Sequence, residues 1–488
     1  MNQSSGTVDL VAILRLELNR YSPGEKLPSS RSLVDRHRVS PVTVSRAIAT
    51  LAAEGLVISR PGAGVYRTAP GRPAAPTGDT SWQEVALSAE PGLPPQRSPD
   101  ASGVLSALAA APPEVVDLNN GYLHASLQPE RALAAALSRA GRRPGAWERP
   151  PIEGLPELRA WFARDIGGTV STSDVLITAG GQNALTTALR SLVAPGSPVL
   201  VESPTYPGVL AVAQAAGLRP VPVPMDADGV RTDRLADAFA ATRARAFVCQ
   251  PVFQNPTATV LSAERRAEVL RIAHEAGAFV IEDDFARRLV HTDAPALPAP
   301  LAADDPNGVV VHIRSLTKST SPSLRVAALS AHGPAFERLR AVQAVDSFFV
   351  PRPLQETALQ LVGAPAWPQH LRTLGAALRD RRRVLADALN RLLPGLLPDR
   401  LPYGGYHFWL RLPDGQDVGA LTSAALRAGV AVTPGPGYFT AEPPAPYLRV
   451  AYSFAEGPER LIEGAERLHR AFTGPGRPRD IQGPAIPG

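Results

Sequence analysis

From Glu114 onward the chain alternates two hydrophobic rhythms. Short β-branched runs predict strands at Val175–Thr178, Pro198–Glu202, Arg219–Val223, Ala246–Gln250, Phe279–Glu282, Val309–Arg314 and Ala327–Ser330. Between them lie segments with helical spacing, among them Gln182–Leu192 and Ala263–Ala276. Strand–helix alternation predicts an α/β body with a large, mainly parallel sheet whose ligands gather at the carboxyl ends of the strands. Beyond Ser347 comes a long arginine-rich helical stretch to Leu393. Strands Gly405–Leu412, Val430–Thr433 and Tyr447–Ser453 follow, with a helix over Val418–Arg427. This predicts a small C-terminal α+β domain at about 348–475, within a body running over 114–475.

Residues 1–70 read differently. Thr7 is placed to cap a first helix carrying Val8, Val11, Leu14 and Leu18 on one face and ending near Arg20. A turn-rich segment, Ser22 to Arg31, leads into a short helix from about Ser30 to His37. Ser40-Pro41 starts a third helix by the cap-then-proline rule, and Gly55 stops it. Leu56–Ile58 and Val65–Arg67 flank Pro61-Gly62-Ala63-Gly64 and predict a hairpin. Three helices and a glycine-tipped hairpin predict a winged helix-turn-helix, with the third helix in the DNA major groove.

Charge supports this assignment. Of the formal net charge of +5, residues 1–70 carry +4, from nine basic and five acidic side chains, which points to a polyanionic partner. Thr43, Ser45 and Arg46 are the candidate base readers, and Arg31, Arg60 and Lys26 the candidate phosphate contacts. The bland alternative is a small helical interaction domain with a solvated basic face. Ala69 to about Pro113 is rich in proline and small polar residues, and reads as a linker over 71–113 with an occasional short helix. The tail, 476–488, is predicted to be disordered. A single cysteine, Cys249, excludes an internal disulfide and any multi-cysteine metal site, and suggests a reducing cytoplasm. Neither a signal peptide nor a membrane span is predicted.

The candidate chemistry lies at predicted strand ends. Among fifty Lys and Arg residues only Lys26 and Lys318 are lysines. Arginine stays protonated near neutrality, whereas a buried lysine can supply a free amine. Lys318 follows the run Val309–Ile313, with Ser315 before it and Arg325 after. Gly180-Gly181-Gln182 opens a helix, where free backbone N–H groups suit a phosphate. Tyr206 stands where it can stack on a flat ring, and Asn255 lies in Gln254-Asn255-Pro256-Thr257. Glu282-Asp283-Asp284 ends a strand in adjacent acids, which suits a metal pair less well because no histidine or cysteine cluster supports one. Together these residues suit a phosphorylated aromatic aldehyde, pyridoxal 5'-phosphate, held by a lysine, an acid at its ring nitrogen and a phosphate cradle.

The N-terminal motifs, Leu27-Pro28-Ser29-Ser30-Arg31, Ser40 through Thr43-Val44 to Ala47, Leu51 to Leu56, and Gly62-Ala63-Gly64, resemble the GntR family of bacterial regulators. Residues from about 115 to 470 resemble fold-type I pyridoxal phosphate enzymes of the aspartate aminotransferase family. The resemblance is carried by Gly180-Gly181-Gln182, Pro204-Thr205-Tyr206, Gln254-Asn255-Pro256-Thr257, Asp283, Ser315-Leu316-Thr317-Lys318 with Leu324-Arg325, and Tyr447-Leu448-Arg449. It implies that Lys318 is the Schiff-base lysine, Asp283 the partner of the ring nitrogen and Asn255 that of O3′. It further implies that Tyr206 stacks on the ring, that Gly181, Gln182, Ser315 and Arg325 bind the phosphate, and that Arg449 clamps a ligand carboxylate. Two positions depart from the pattern: Phe285 replaces a tyrosine that hydrogen-bonds O3′, and Arg149 lies nearest to an absent tyrosine that reaches the neighbouring subunit's phosphate.

The whole resembles the MocR subgroup of GntR regulators. It implies a homodimeric, DNA-binding transcriptional regulator whose aminotransferase-like body senses a small amine or amino-acid effector, or the cofactor itself. The alternatives are a working aminotransferase with an accessory DNA-binding head, and a regulator whose body has lost the cofactor.

Overall fold

The computed structural model describes residues 10–15, 17–18, 21, 24–60, 64–68, 101–109 and 111–474. The expected Thr7 cap, the wing tip at Pro61–Ala63, most of the linker and the tail after Gly474 lie outside the described residues. The chain divides into two compact units, 1–92 and 93–488.

In the first unit, helix Ser30–His37 is capped by Ser29, whose side chain accepts from the Ser32 N–H. Helix Pro41–Ala53 is capped by Ser40, which accepts from the Thr43 N–H at 3.1 Å. A Ser cap followed by Pro at the first position is an efficient helix start, since proline lacks only an N–H that would go unpaired there. Strands β1 (Val57–Arg60) and β2 (Gly64–Arg67) pair antiparallel. Leu10, Leu14, Leu33, Val44, Leu51 and Val57 form the core. Three helical segments and a hairpin pack as the periodicity predicts.

The second unit is built on an eight-stranded sheet. Its strands are β4 (Val175–Thr178), β5 (Pro198–Ser203), β6 (Arg219–Asp226), β7 (Gly229–Val230), β8 (Ala246–Cys249), β9 (Phe279–Asp283), β10 (Val310–Ser315) and β11 (Ala327–Ser330), in the order β4-β11-β10-β9-β8-β5-β6-β7. The central five, β10, β9, β8, β5 and β6, run parallel, while β11 and β7 run antiparallel to their neighbours. Their near-continuous apolar content follows from burial on both faces: Val199, Leu200, Val201, Phe247, Val248, Val280 and Ile281 are all buried, beneath helices such as Gly181–Leu192 and Ala263–Glu275.

The smaller domain holds β12 (His407–Arg411), β14 (Thr433–Pro434) and β15 (Tyr447–Ala451) in one sheet, order β12-β15-β14. The expected strand Val430–Thr433 is split. Val430–Ala431 (β13) pairs in parallel with Val116–Asp117 (β3), and Thr433–Pro434 pairs with β15. Residues 116–123 thus belong to the C-terminal core, with Val116, Leu118 and Leu123 buried among Leu385, Phe408, Val450 and Leu461. The expected helical stretch to Leu393 is two helices, Arg352–Val362 and Ala366–Leu392.

Candidate functional site

The carboxyl ends of the central strands converge on one cavity of about 90 Å³. Gly181, Gln182, Tyr206, Asn255, Asp283, Ser315, Lys318 and Arg325 all line it, joined by Tyr122, Gln250, Phe285, Thr317 and Tyr406. An adjoining cavity of about 330 Å³ shares Lys318, Asn255 and Arg325 and adds Arg449 and Tyr438. Residues read one by one from separate strand ends therefore meet in space.

Lys318 sits in the turn after β10, screened from bulk water but open to the cavity. Its Nζ donates to the Gly121 carbonyl at 2.7 Å and lies 3.9 Å from the centre of the Tyr122 ring. Burial pushes its pKa down to about 8, with Tyr122 opposing and Arg449 reinforcing the shift. A free-amine fraction is therefore present near neutrality, as nucleophilic attack on a carbonyl requires.

Asp283 closes β9. Burial raises its carboxyl to about 6, against the lowering effect of Gln250, whose Nε2 donates to Asp283 Oδ2 at 2.7 Å. The same Gln250 side chain accepts from the Asn255 N–H at 3.0 Å. One amide thereby ties the acid to the loop that carries Asn255. Behind it, Glu202 accepts from the Gln250 N–H and the Gln254 side chain, and burial pushes its pKa to about 8.

Strand alternation turns Glu282 and Asp284 to the opposite face from Asp283. With His312 they form a cluster of metal-ligand type, but its carboxylates are already paired with cations, and of their oxygens only Asp284 Oδ1 is left without a partner among the described residues. Glu282 accepts from the Leu301 and Ala302 N–H groups and pairs with His312 at 2.7 Å. Asp284 pairs with Arg314 at 2.9 Å and with Arg287. Burial would raise both carboxyls, but these partners hold them low. The cluster reads as a charge-compensated scaffold beneath the acid end of β9.

The side of the cavity expected to take a phosphate is equally specific. Helix Gly181–Leu192 has no side-chain cap, which leaves its N-terminus to an anion. Gly180 has φ +89°, and a Cβ there would stand 2.6 Å from Arg325 Nη2. Glycine is therefore needed both for the backbone and for the close approach of the guanidinium. Arg325 also donates to the Ala179 carbonyl at 3.0 Å, and Tyr206 Oη donates to Gln182 at 3.3 Å. Asn255 Oδ1 and Thr317 Oγ1 are buried without partners among the described residues. An amine, an acid, an uncapped helix end and unspent polar atoms around one cavity fit pyridoxal phosphate.

Arg449, on β15, is 3% exposed. It donates to the Asn119 carbonyl at 3.1 Å and packs 5.3 Å from the Tyr406 ring centre, and its Nε has no partner among the described residues. Phe285 stacks edge-on against Tyr406 at 6.5 Å, so that part of the wall is apolar. Tyr122, Tyr406 and Gln250 were not anticipated from sequence. The only local signal was a tyrosine after a glycine turn in Asn120-Gly121-Tyr122 and again in Gly404-Gly405-Tyr406.

In the first unit, Arg31, Ser45 and Arg46 are exposed, with the latter two on helix Pro41–Ala53. Thr43 is half-buried and shares a 2.8 Å hydrogen bond with the Ser40 hydroxyl, so part of its hydroxyl serves the cap. Lys26 is exposed and bridges to Tyr66 of β2, and Arg60 ends β1. Arg149 is exposed and does not line the cavity.

Two family models match: aminotransferase class I and II over residues 113–467, and bacterial regulatory proteins, gntR family, over residues 12–66. The chain is 30% identical to the HTH-type transcriptional regulator TauR of Rhodobacter capsulatus over 93% of each chain. It is 32% identical to the 2-aminoadipate transaminase of Thermus thermophilus, covering 74% of this chain and 91% of the enzyme. Among solved structures it is similar to LysN, the α-aminoadipate aminotransferase of the same bacterium, with 29% identity and a TM-score of 0.71, covering 77% of this chain and 95% of that one. The fold-type I body is that of a pyridoxal-phosphate-dependent family. The chain belongs to the aminotransferase class I and II family, in the MocR-type architecture that places a gntR-family helix-turn-helix before the aminotransferase-like body.

Proposed function

We propose that the protein is a pyridoxal-phosphate-dependent transcriptional regulator that binds operator DNA through its N-terminal unit and senses a small amine or amino acid in its body. The observation that carries this reading is the pairing of a helix-turn-helix unit with a body whose single lysine, Lys318, lies in the strand-end cavity with Asp283. The HTH-type regulator TauR supports it by matching over nearly the whole chain.

Pyridoxal phosphate, when bound, supplies a carbonyl for amines and an electron sink. The residues of this chain then have separable tasks. Lys318 offers the free amine that holds the cofactor and can move a proton at Nζ. Asp283 keeps a ring nitrogen protonated, and Gln250 keeps Asp283 oriented. Gly181, Gln182, Ser315 and Arg325 bind phosphate. Tyr206 supports the ring and Asn255 its phenolic oxygen, while Arg449 holds a ligand carboxylate with its unspent donor. Phe285 offers no hydroxyl at the phenolic oxygen, which leaves ring electronics less controlled than steady turnover demands. The body is therefore a sensor with slow or no transamination. Arg46, Ser45 and Thr43 read bases; Arg31, Arg60 and Lys26 hold phosphates.

The chain acts as a cytoplasmic homodimer. Trp147, Val345 and Phe348 expose 83%, 81% and 68% of their surface, apolar area that a second copy would cover. No helix among the described residues is long and apolar enough to cross a membrane.

Operator affinity and steady-state transamination, measured side by side with candidate amino acids, test this reading. The expected result is a ligand-dependent change in DNA affinity with little conversion of cofactor. Turnover near ~1 s⁻¹ or faster, with DNA binding indifferent to ligand, would make the protein an aminotransferase first.

A further inference from the structure

Three histidines of the body, none of which lines the candidate site, make the same kind of contact beside it. His407 Nε2 lies 3.0 Å from the Pro256 carbonyl, His291 Nε2 lies 3.2 Å from that of Gly405, and His370 Nε2 lies 2.8 Å from that of Ser319. A carbonyl oxygen only accepts, so each ring must donate from Nε2. Each acceptor is the chain neighbour of a residue that lines the cavity. Pro256 follows Asn255, Gly405 precedes Tyr406, and Ser319 follows Lys318.

The surroundings specify the same tautomer. Arg382, on helix Ala366–Leu392, donates to His291 Nδ1 at 3.4 Å and also pairs with Asp293. A guanidinium cannot accept, so that Nδ1 is bare and the proton sits on Nε2. His407 Nδ1 is buried with no partner among the described residues, as suits a ring whose one proton is engaged at Nε2. Burial holds the rings neutral. It lowers His291 to about 4 with help from Arg382, takes His407 well below the ordinary range with help from Arg449, and lowers His370.

The three contacts join elements that are far apart in the chain. His407, on β12 of the smaller domain, reaches the loop that carries Asn255. His291, beyond β9 of the large sheet, reaches the turn that carries Tyr406. His370 reaches the Lys318 turn from helix Ala366–Leu392, whose Leu374, Leu378 and Leu385 lie in the core of the smaller domain. The Tyr406 turn and the Asn255 loop also touch directly, since a Cβ at Gly404 would collide with the Phe253 ring. Backbone bonds hold the turn as well: His291 N–H donates to the Tyr403 carbonyl at 2.9 Å and Gly405 N–H to that of Leu289 at 3.0 Å. The ring of His291 is therefore not needed to form the turn, and what it adds is orientation.

We propose that His291, His370 and His407 are positioning residues: as neutral Nε2–H donors they lock the carbonyls beside Tyr406, Lys318 and Asn255, and so hold three separate elements in register around the cofactor. The inference rests on the reading that Lys318 holds pyridoxal phosphate. A site assembled from several elements needs its members fixed by such outer partners, because each loop alone has freedom to shift. Glutamine can present an N–H close to the place of Nε2, whereas phenylalanine keeps the ring and removes the donor.

The test uses the full chain and its His291, His370 and His407 variants to Phe and to Gln, each checked for fold by far-ultraviolet circular dichroism. Apo-protein is titrated with pyridoxal phosphate, and the visible circular dichroism of the bound cofactor is recorded. Each Phe variant is expected to bind the cofactor about fivefold more weakly, the equivalent of one ordinary hydrogen bond, with altered visible dichroism. The Gln variants are expected to return to within about twofold of the wild type. Nitrogen NMR of the wild type, labelled at histidine, should show the Nε2–H tautomer at all three positions near neutral pH. Folded Phe variants with wild-type affinity and dichroism overturn the proposal, as do Gln variants impaired as much as the Phe variants. An Nδ1–H tautomer or a protonated ring overturns it too, and this measurement decides if a Phe variant does not fold. If the wild type develops no visible band with pyridoxal phosphate, the cofactor reading itself falls, and the positioning role falls with it.

Discussion

Gln250→Leu removes one side chain that serves two residues of the candidate site. Its amide donates to Asp283 Oδ2 at 2.7 Å and accepts from the Asn255 N–H at 3.0 Å, and the residue is 3% exposed. A hydrogen bond to a charged acceptor is worth about 1.5–3 kcal/mol, and each pKa unit corresponds to about 1.4 kcal/mol. Losing the donor therefore raises the Asp283 carboxyl by about one to two units above its present value of about 6. Water has little access to the site to replace the bond, because the variant is apolar and of similar size. The assay is titration of the apo-protein with pyridoxal phosphate between pH 6 and pH 9, followed by absorbance, with far-ultraviolet circular dichroism as the fold control. Affinity in the wild type should fall off near pH 6, as the carboxylate that holds the ring-nitrogen proton is lost. In Gln250→Leu the fall should begin one to two pH units higher. Superimposable profiles in a folded variant would refute the argument that this amide sets the acid.

Two further outcomes follow from the same geometry. Glu202 is buried with its pKa raised to about 8, so the folded state binds more protons than the unfolded state between the ordinary carboxyl range and pH 8. Stability should therefore decline as pH rises through that window, by at most about 1.4 kcal/mol per pH unit for one proton. Glu202→Gln keeps an acceptor for the Gln250 N–H and should flatten the decline, as read from denaturant midpoints at pH 5 to 8. In the DNA-binding unit, Arg46→Ala should relax base preference by ~1–3 kcal/mol if Arg46 grips a guanine. Arg60→Ala should weaken all duplexes alike and reduce the salt slope. Equal losses on every sequence for both variants would undo the division into reader and anchor.

Much of this architecture was legible in the sequence because its elements are local. The strands Val175–Thr178 and Ala327–Ser330 and the helices Ser30–His37 and Val418–Arg427 run as predicted, since each is bounded by turn or cap chemistry that acts within a few residues. The candidate site was also readable in outline. An α/β sheet delivers loop residues to one edge, and Lys318, Asp283, Asn255 and Tyr206 all follow strands that end there. What escaped depends on distant partners. Val116–Asp117 is two residues long, too short for any period, and becomes a strand only against Val430–Ala431. Tyr122 and Tyr406 enter the cavity through packing of chain segments far apart in sequence. Gln250 looked like a strand terminus, because nothing local indicates that its amide spans to Asp283. Helix Ser102–Leu108 lies in a stretch read only as linker; its place beside Lys318 is a tertiary fact.

The central claim is that Lys318 holds the cofactor, and the scarcity of lysine makes it directly testable. The only other lysine, Lys26, lies in the DNA-binding unit. The measurement is borohydride reduction of the purified, pyridoxal-phosphate-loaded protein, followed by peptide mass analysis, in the wild type and in Lys318→Ala. The account predicts a visible absorption band that reduction abolishes, phosphopyridoxyl label on the peptide containing Lys318, and neither band nor label in the variant. A reducible band that persists in Lys318→Ala, or label confined to Lys26, would contradict it.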